Sequence, residues 1–164
     1  MSATRRSYEA GHRPKYLVLI DDTPECDRAV YYASRRAARN DAAVVMLCVI
    51  EPHDRNQQWL GVADIMRAEA HEEATTTLSR YAGRVNGIAG VTPDQVIREG
   101  ERVEEILALI AEDEDIATLV LAAGIGKEGP GPIVSGLGKL IGSFPIPITI
   151  VPGHLTDAQL DSLS

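Results

Sequence analysis

The sequence predicts an α/β domain, a doubly wound parallel sheet of five strands with helices on both faces. Three observations carry that expectation. Short aliphatic runs of strand length alternate with longer stretches of helical apolar spacing. The runs are continuously apolar, as strands buried on both faces require. Apolar residues make up 45% of the 164-residue chain and aromatics only 4%, so the core must be Ala, Val, Ile and Leu.

Lys15–Asp21 (KYLVLID) is the first strand. Thr23 suits an N-cap and Pro24 a first helical residue, so a helix is expected to open there. Ala29, Val30, Ala33, Ala37 and Ala38 form its stripe and Asn40 ends it. Ala42–Ile50 (AAVVMLCVI) is the second strand, and polar Glu51–Leu60 a loop. Apolar residues from Val62 to Ile88 recur at helical spacing over one long helix. Asp94–Glu99 (DQVIRE) is a weaker third strand broken by Gly100. Val103, Ile106, Leu107 and Ile110 mark a helix to about Asp113, whose carboxylates at Glu112–Asp115 read as a solvated end. Ile116–Ala122 is the fourth strand, Gly124–Pro132 a loop, and a small-residue helix runs to about Gly142. Pro147–Val151 is the fifth strand. The domain thus covers 15–152, between a basic N-terminal extension (1–14) and a polar C-terminal tail (153–164) with a turn capped by Thr156.

Acids number 24 and bases 16, a formal charge of −8, which argues against general nucleic-acid binding. No apolar run spans a membrane and no signal-peptide pattern opens the chain. Two cysteines, Cys26 and Cys48, make no disulfide framework, and reduced thiols in a cytoplasm are the simple expectation. Cys26 is either a plain helix cysteine or a thiol acidified by the helix dipole. His12, His53, His71 and His154 show no metal-ligand spacing, so no metal site is expected. No catalytic triad or nucleophile elbow stands out.

In a doubly wound sheet ligands sit beyond the carboxyl ends of the strands. The loop after strand four is the richest of these places, since residues 122–142 hold seven of the fourteen glycines. Gly124-Ile125-Gly126-Lys127-Glu128-Gly129 is a literal G-x-G-x-x-G, in which backbone N–H groups can approach a phosphate and Lys127 can add charge. It lacks the acid that completes a dinucleotide fingerprint, and it is no Walker A loop. A strand-to-helix turn without ligand explains it equally. Asp21 can accept from ribose hydroxyls, or Asp21 or Asp22 can cap the following helix. Ser135 can meet a terminal phosphate or be an ordinary first-turn serine.

Together, VLIDDTPECDRAVYYASRRAA, VVMLCVIEP, IREGERVEEILALIAE and LVLAAG…PIPITIVPG resemble the universal stress protein family over roughly residues 15–152. The resemblance implies strand order 3-2-1-4-5, with Asp21 beside the Gly124–Gly129 loop. It implies a homodimer paired through the last strand (147–151), and ATP or AMP as ligand, with Mg2+ accompanying ATP. Asp21 then holds the ribose, Val49 the base through its backbone, and Gly124, Gly126, Gly129 and Ser135, with Lys127, the phosphates. The family's G-x2-G-x9-G-[ST] motif is altered: Gly126 and Gly129 match, Lys139 stands at the next glycine, and Ser135-Gly136 reverses the usual pair. Ala122 stands where a glycine usually closes strand four. No general base or arginine finger is evident, so any hydrolysis is expected to be slow. The alternative is a nucleotide-free dimeric interaction module.

Overall fold

The computed structural model describes residues 4–52 and 60–164. Along the chain come β1 (Lys15–Leu19), α1 (Cys26–Asn40), β2 (Ala43–Ile50), α2 (Leu60–Ala89) and β3 (Asp94–Glu99). Then follow α3 (Arg102–Glu112), β4 (Ile116–Ala123), α4 (Pro132–Leu137), a 3-10 turn (Ile141–Ser143), β5 (Ile148–Pro152) and α5 (Asp157–Leu163). The strands form one sheet in the order β3-β2-β1-β4-β5. All four ladders are parallel. The expected fold and strand order are those observed. Most of the predicted loop between β2 and α2, with His53, lies outside the described residues.

Strand alternation explains the two cores. Val18, Ile20, Val44, Met46, Val120 and Val151 point to one face, under α1, α2 and α5. Leu17, Leu19, Val45, Leu47, Leu119 and Leu121 point to the other, under α3 and α4. Apolar residues on both sides of each strand are what turn a parallel sheet into a middle layer.

Three expectations need correction. α1 begins at Cys26, with Glu25 as its N-cap and no side-chain cap bond. Thr23 instead belongs to a turn that precedes the helix, its N–H and hydroxyl both donating to Asp21 Oδ1. Such local side-chain turns compete with helix entry. The helix after the glycine loop ends at Leu137, not near Gly142. Gly136 and Gly138 disfavour continuation, and the chain tightens into i→i+3 bonds from Gly138 to Ser135 and Leu140 to Leu137. The acidic end of α3 is partnered, not simply solvated. Lys15 Nζ lies 2.8 Å from Asp113, His12 Nδ1 2.7 Å from Asp115, and Arg98 pairs with Glu112.

Segments on both sides of the sheet unit pack on it. Arg5 donates to the carbonyls of Ile110, Asp113 and Ile116. It serves acceptors at the end of α3, which has no basic residue in its own last turn. α5 opens with a reciprocal capping box between Thr156 and Gln159. It lies on α1, where Leu160 is fully buried and Tyr31 donates to Asp161 at 2.7 Å.

Asp27 ties α1 to α2. Burial works against its ionisation, but hydrogen bonds from Arg84 and Arg28 prevail and hold its carboxyl below the usual range. A carboxyl held low in the fold contributes stability above the unfolded pKa and loses it as pH falls through the folded one. Asp27→Asn is therefore expected to cost about 1 kcal/mol at pH 7, solvent screening limiting the effect. The gap should close as pH falls below about 4. Denaturant titrations of both proteins at the two pH values check this.

Candidate functional site: a crevice beyond β1 and β2

The site begins with a strand that stops early. Asp21 Oδ1 accepts from the Thr23 N–H at 3.0 Å and from the Thr23 hydroxyl, turning the chain off the sheet just after β1. The β1–β2 ladder accordingly ends at Leu19–Leu47. Ile20 adds one last bond, donating to the Leu47 carbonyl at 2.8 Å. Cys48, Val49 and Ile50 run on, paired among the described residues only with β3. A backbone edge is left open on the β1 side, and an open edge presents unpaired donors and acceptors.

That edge forms one wall of a crevice of about 200 Å3. Asp21, Asp22 and Ile20 form the second wall, and α2 closes it with Ala70, Glu73, Ala74 and Thr77. Arg102, the first residue of α3, stands at the rim, 3.5 Å from Glu51. The structure thus brings Asp21 and Val49 into one crevice. The Val49 side chain is buried in the α3-side core, so its backbone is what it offers.

Gly124, Gly126, Lys127, Gly129 and Ser135 do not line this crevice. The first four sit on the β4–α4 connection and Ser135 within α4, beyond the strand that neighbours β1. The loop closes on itself: Gly124 N–H donates to the Pro130 carbonyl at 3.0 Å and Gly129 N–H to that of Gly126 at 3.2 Å. Gly129 (φ +90°) and Gly131 (φ +106°) hold left-handed backbone that only glycine adopts readily. Lys127 and Ser135 are exposed.

The chain matches the sequence profile of the Universal stress protein family over residues 13–152. It belongs to that family. No curated protein matches it in sequence. Universal stress protein UspA from Lactobacillus plantarum superposes with TM-score 0.73 at 17% identity, covering 84% of this chain and 97% of that one. A universal stress protein in complex with cAMP gives 0.61 at 18% identity, covering 84% and 96%. The universal stress protein from Archaeoglobus fulgidus in complex with dAMP gives 0.51 at 17%, covering 84% and 96%. At these identities the likeness concerns the fold.

Within this universal stress protein fold, two residues of the crevice and one beside the glycine loop escape a reading by motif. Cys48 and Arg102 line the crevice. Burial, with Asp21 nearby, pushes the Cys48 thiol up, so it is no activated nucleophile. Cys26 is buried away from the crevice with its thiol pushed up to about 12, mainly by desolvation, so the dipole-acidified alternative fails. Glu25 is the third, and its side chain lies against Gly124 and Gly153. Acid after the Thr-Pro pair is its only sequence signal. Among the described residues no cluster of three or more His, Cys, Asp or Glu could hold a metal ion. No described helix is long and apolar enough to cross a membrane.

Proposed function

We propose that the protein binds an adenine nucleotide, ATP or AMP, beyond β1 and β2, as a cytoplasmic stress-response protein with slow hydrolysis at most. The observation that carries this reading is the open edge at Val49 facing the Asp21 carboxylate. Adenine presents a donor beside an acceptor, which an open strand edge can read. Asp21 uses Oδ1 for its turn, which leaves Oδ2 for ribose hydroxyls. A crevice of about 200 Å3 suits the nucleoside part, and the phosphates would extend toward Gly124, Gly126, Lys127, Gly129 and Ser135. Mg2+ would enter on the phosphates of ATP. Relatives of the same fold, captured with cAMP and dAMP, support an adenine nucleotide as the ligand class.

Titration calorimetry with AMP, and with ATP plus Mg2+, is expected to give a Kd below about 1 mM for at least one of them. Saturating nucleotide should also slow iodoacetamide labelling of Cys48, which lines the crevice, while buried Cys26 stays unlabelled. Weaker binding with unprotected Cys48 would overturn the reading.

One observation favours a second reading, a nucleotide-free dimeric module. Among the described residues β5 pairs only with β4, and its Ile150 is 40% exposed. Pairing of residues 147–151 about a two-fold axis would cover that edge. A dimer in sedimentation together with silent calorimetry would favour it.

A further inference from the structure

We propose that Glu25 makes this site discriminate against triphosphates, so that the chain prefers adenosine and adenosine monophosphate to free ATP; the inference rests on the nucleotide reading above. Glu25 ends the β1–α1 turn yet gives α1 no side-chain cap. Its carboxylate is carried instead to the first residue of the glycine loop. Glu25 Oε1 lies 3.0 Å from where a Cβ on Gly124 would stand, and Glu25 Cβ lies 3.0 Å from that place on Gly153. Two glycines at the ends of β4 and β5 therefore clear the space that this half-buried acid occupies. Phosphates held at the loop backbone around Gly124 would therefore lie beside this carboxylate.

The rest of the loop does not offset that charge. Lys127 is its one cation, and Glu128 beside it crowds Gly126. The nearest cations on α1 and α2, Arg28 and Arg84, are engaged with Asp27. Adenosine carries no charge to repel and a monophosphate about two negative charges, whereas a free triphosphate brings about four past the same carboxylate.

The test titrates adenosine, AMP and ATP, in EDTA at low salt, into the wild type and Glu25→Gln, an isosteric change expected to fold. In the wild type ATP should bind at least about tenfold more weakly than AMP. Glu25→Gln should tighten ATP about tenfold, AMP less and adenosine not at all, and 0.5 M salt (about a 4 Å screening length) should shrink the wild-type gap. ATP binding as tightly as AMP in the wild type, or one equal shift for all three ligands in Glu25→Gln, overturns the inference and leaves the site standing. Failure of all three ligands to bind the wild type overturns the nucleotide reading, and this inference with it.

Discussion

Leu160→Ala is expected to lower the unfolding free energy by about 2–5 kcal/mol, the cost of emptying a buried leucine site. Leu160 is fully buried in the core shared by α1 and β5, although it lies in a short final helix. The helix has few other apolar anchors. Its remaining ties to α1 are polar: Arg28 to the Leu155 carbonyl, Arg39 to the carbonyls of Asp161 and Ser164, and Tyr31 to Asp161. Leu163 is 60% exposed, so Leu163→Ala should change stability by less than about 0.5 kcal/mol. Urea denaturation of the three proteins decides the matter. An equal loss for both variants would mean that the helix is held by its polar ties, and no loss for Leu160→Ala would mean that it is not docked in solution.

Asp21→Ala should weaken nucleotide binding by about 1–3 kcal/mol, as expected when a charged hydrogen-bond partner is lost. Part of that loss comes from the turn, since Oδ1 accepts from both the N–H and the hydroxyl of Thr23. Two further variants separate the contributions. Asp21→Asn keeps an oxygen for the turn and removes the charge; Thr23→Val removes the hydroxyl donor alone. Direct contact with the ribose predicts a clear loss for Asp21→Asn and little for Thr23→Val, read by calorimetry. Unchanged affinity in Asp21→Ala would remove this residue from the site.

Four of the five strands are legible in the sequence as short aliphatic runs, and a run such as Ala42–Ile50 has no competing solution but burial on both faces, whereas edge strand β3 (DQVIRE) shows only Val96 and Ile97 between polar residues. The doubly wound topology follows from alternation and crossover handedness. Helix ends are less legible where side chains have two local uses. Thr23 is both a cap residue and a donor to Asp21, and only the turn geometry shows that the second use prevails. The glycines at 136 and 138 end a helix that a small-residue pattern extends too far. In the site, Asp21 and Val49 are legible because strand ends mark them. Glu25 and Arg102 are not, because each matters only through neighbours remote in sequence: Gly124 and Gly153 for one, β2 and α2 for the other.

The span shared with the family, residues 13–152, leaves out both Arg5 and Leu160. Arg5 meets carbonyls at the end of α3, and Leu160 roofs part of α1. A fragment trimmed to the common family borders would therefore be a different object from this protein. One helix would lose the donor to its final carbonyls and another its lid, so the practical cutting points for this chain lie outside the region that defines its ancestry.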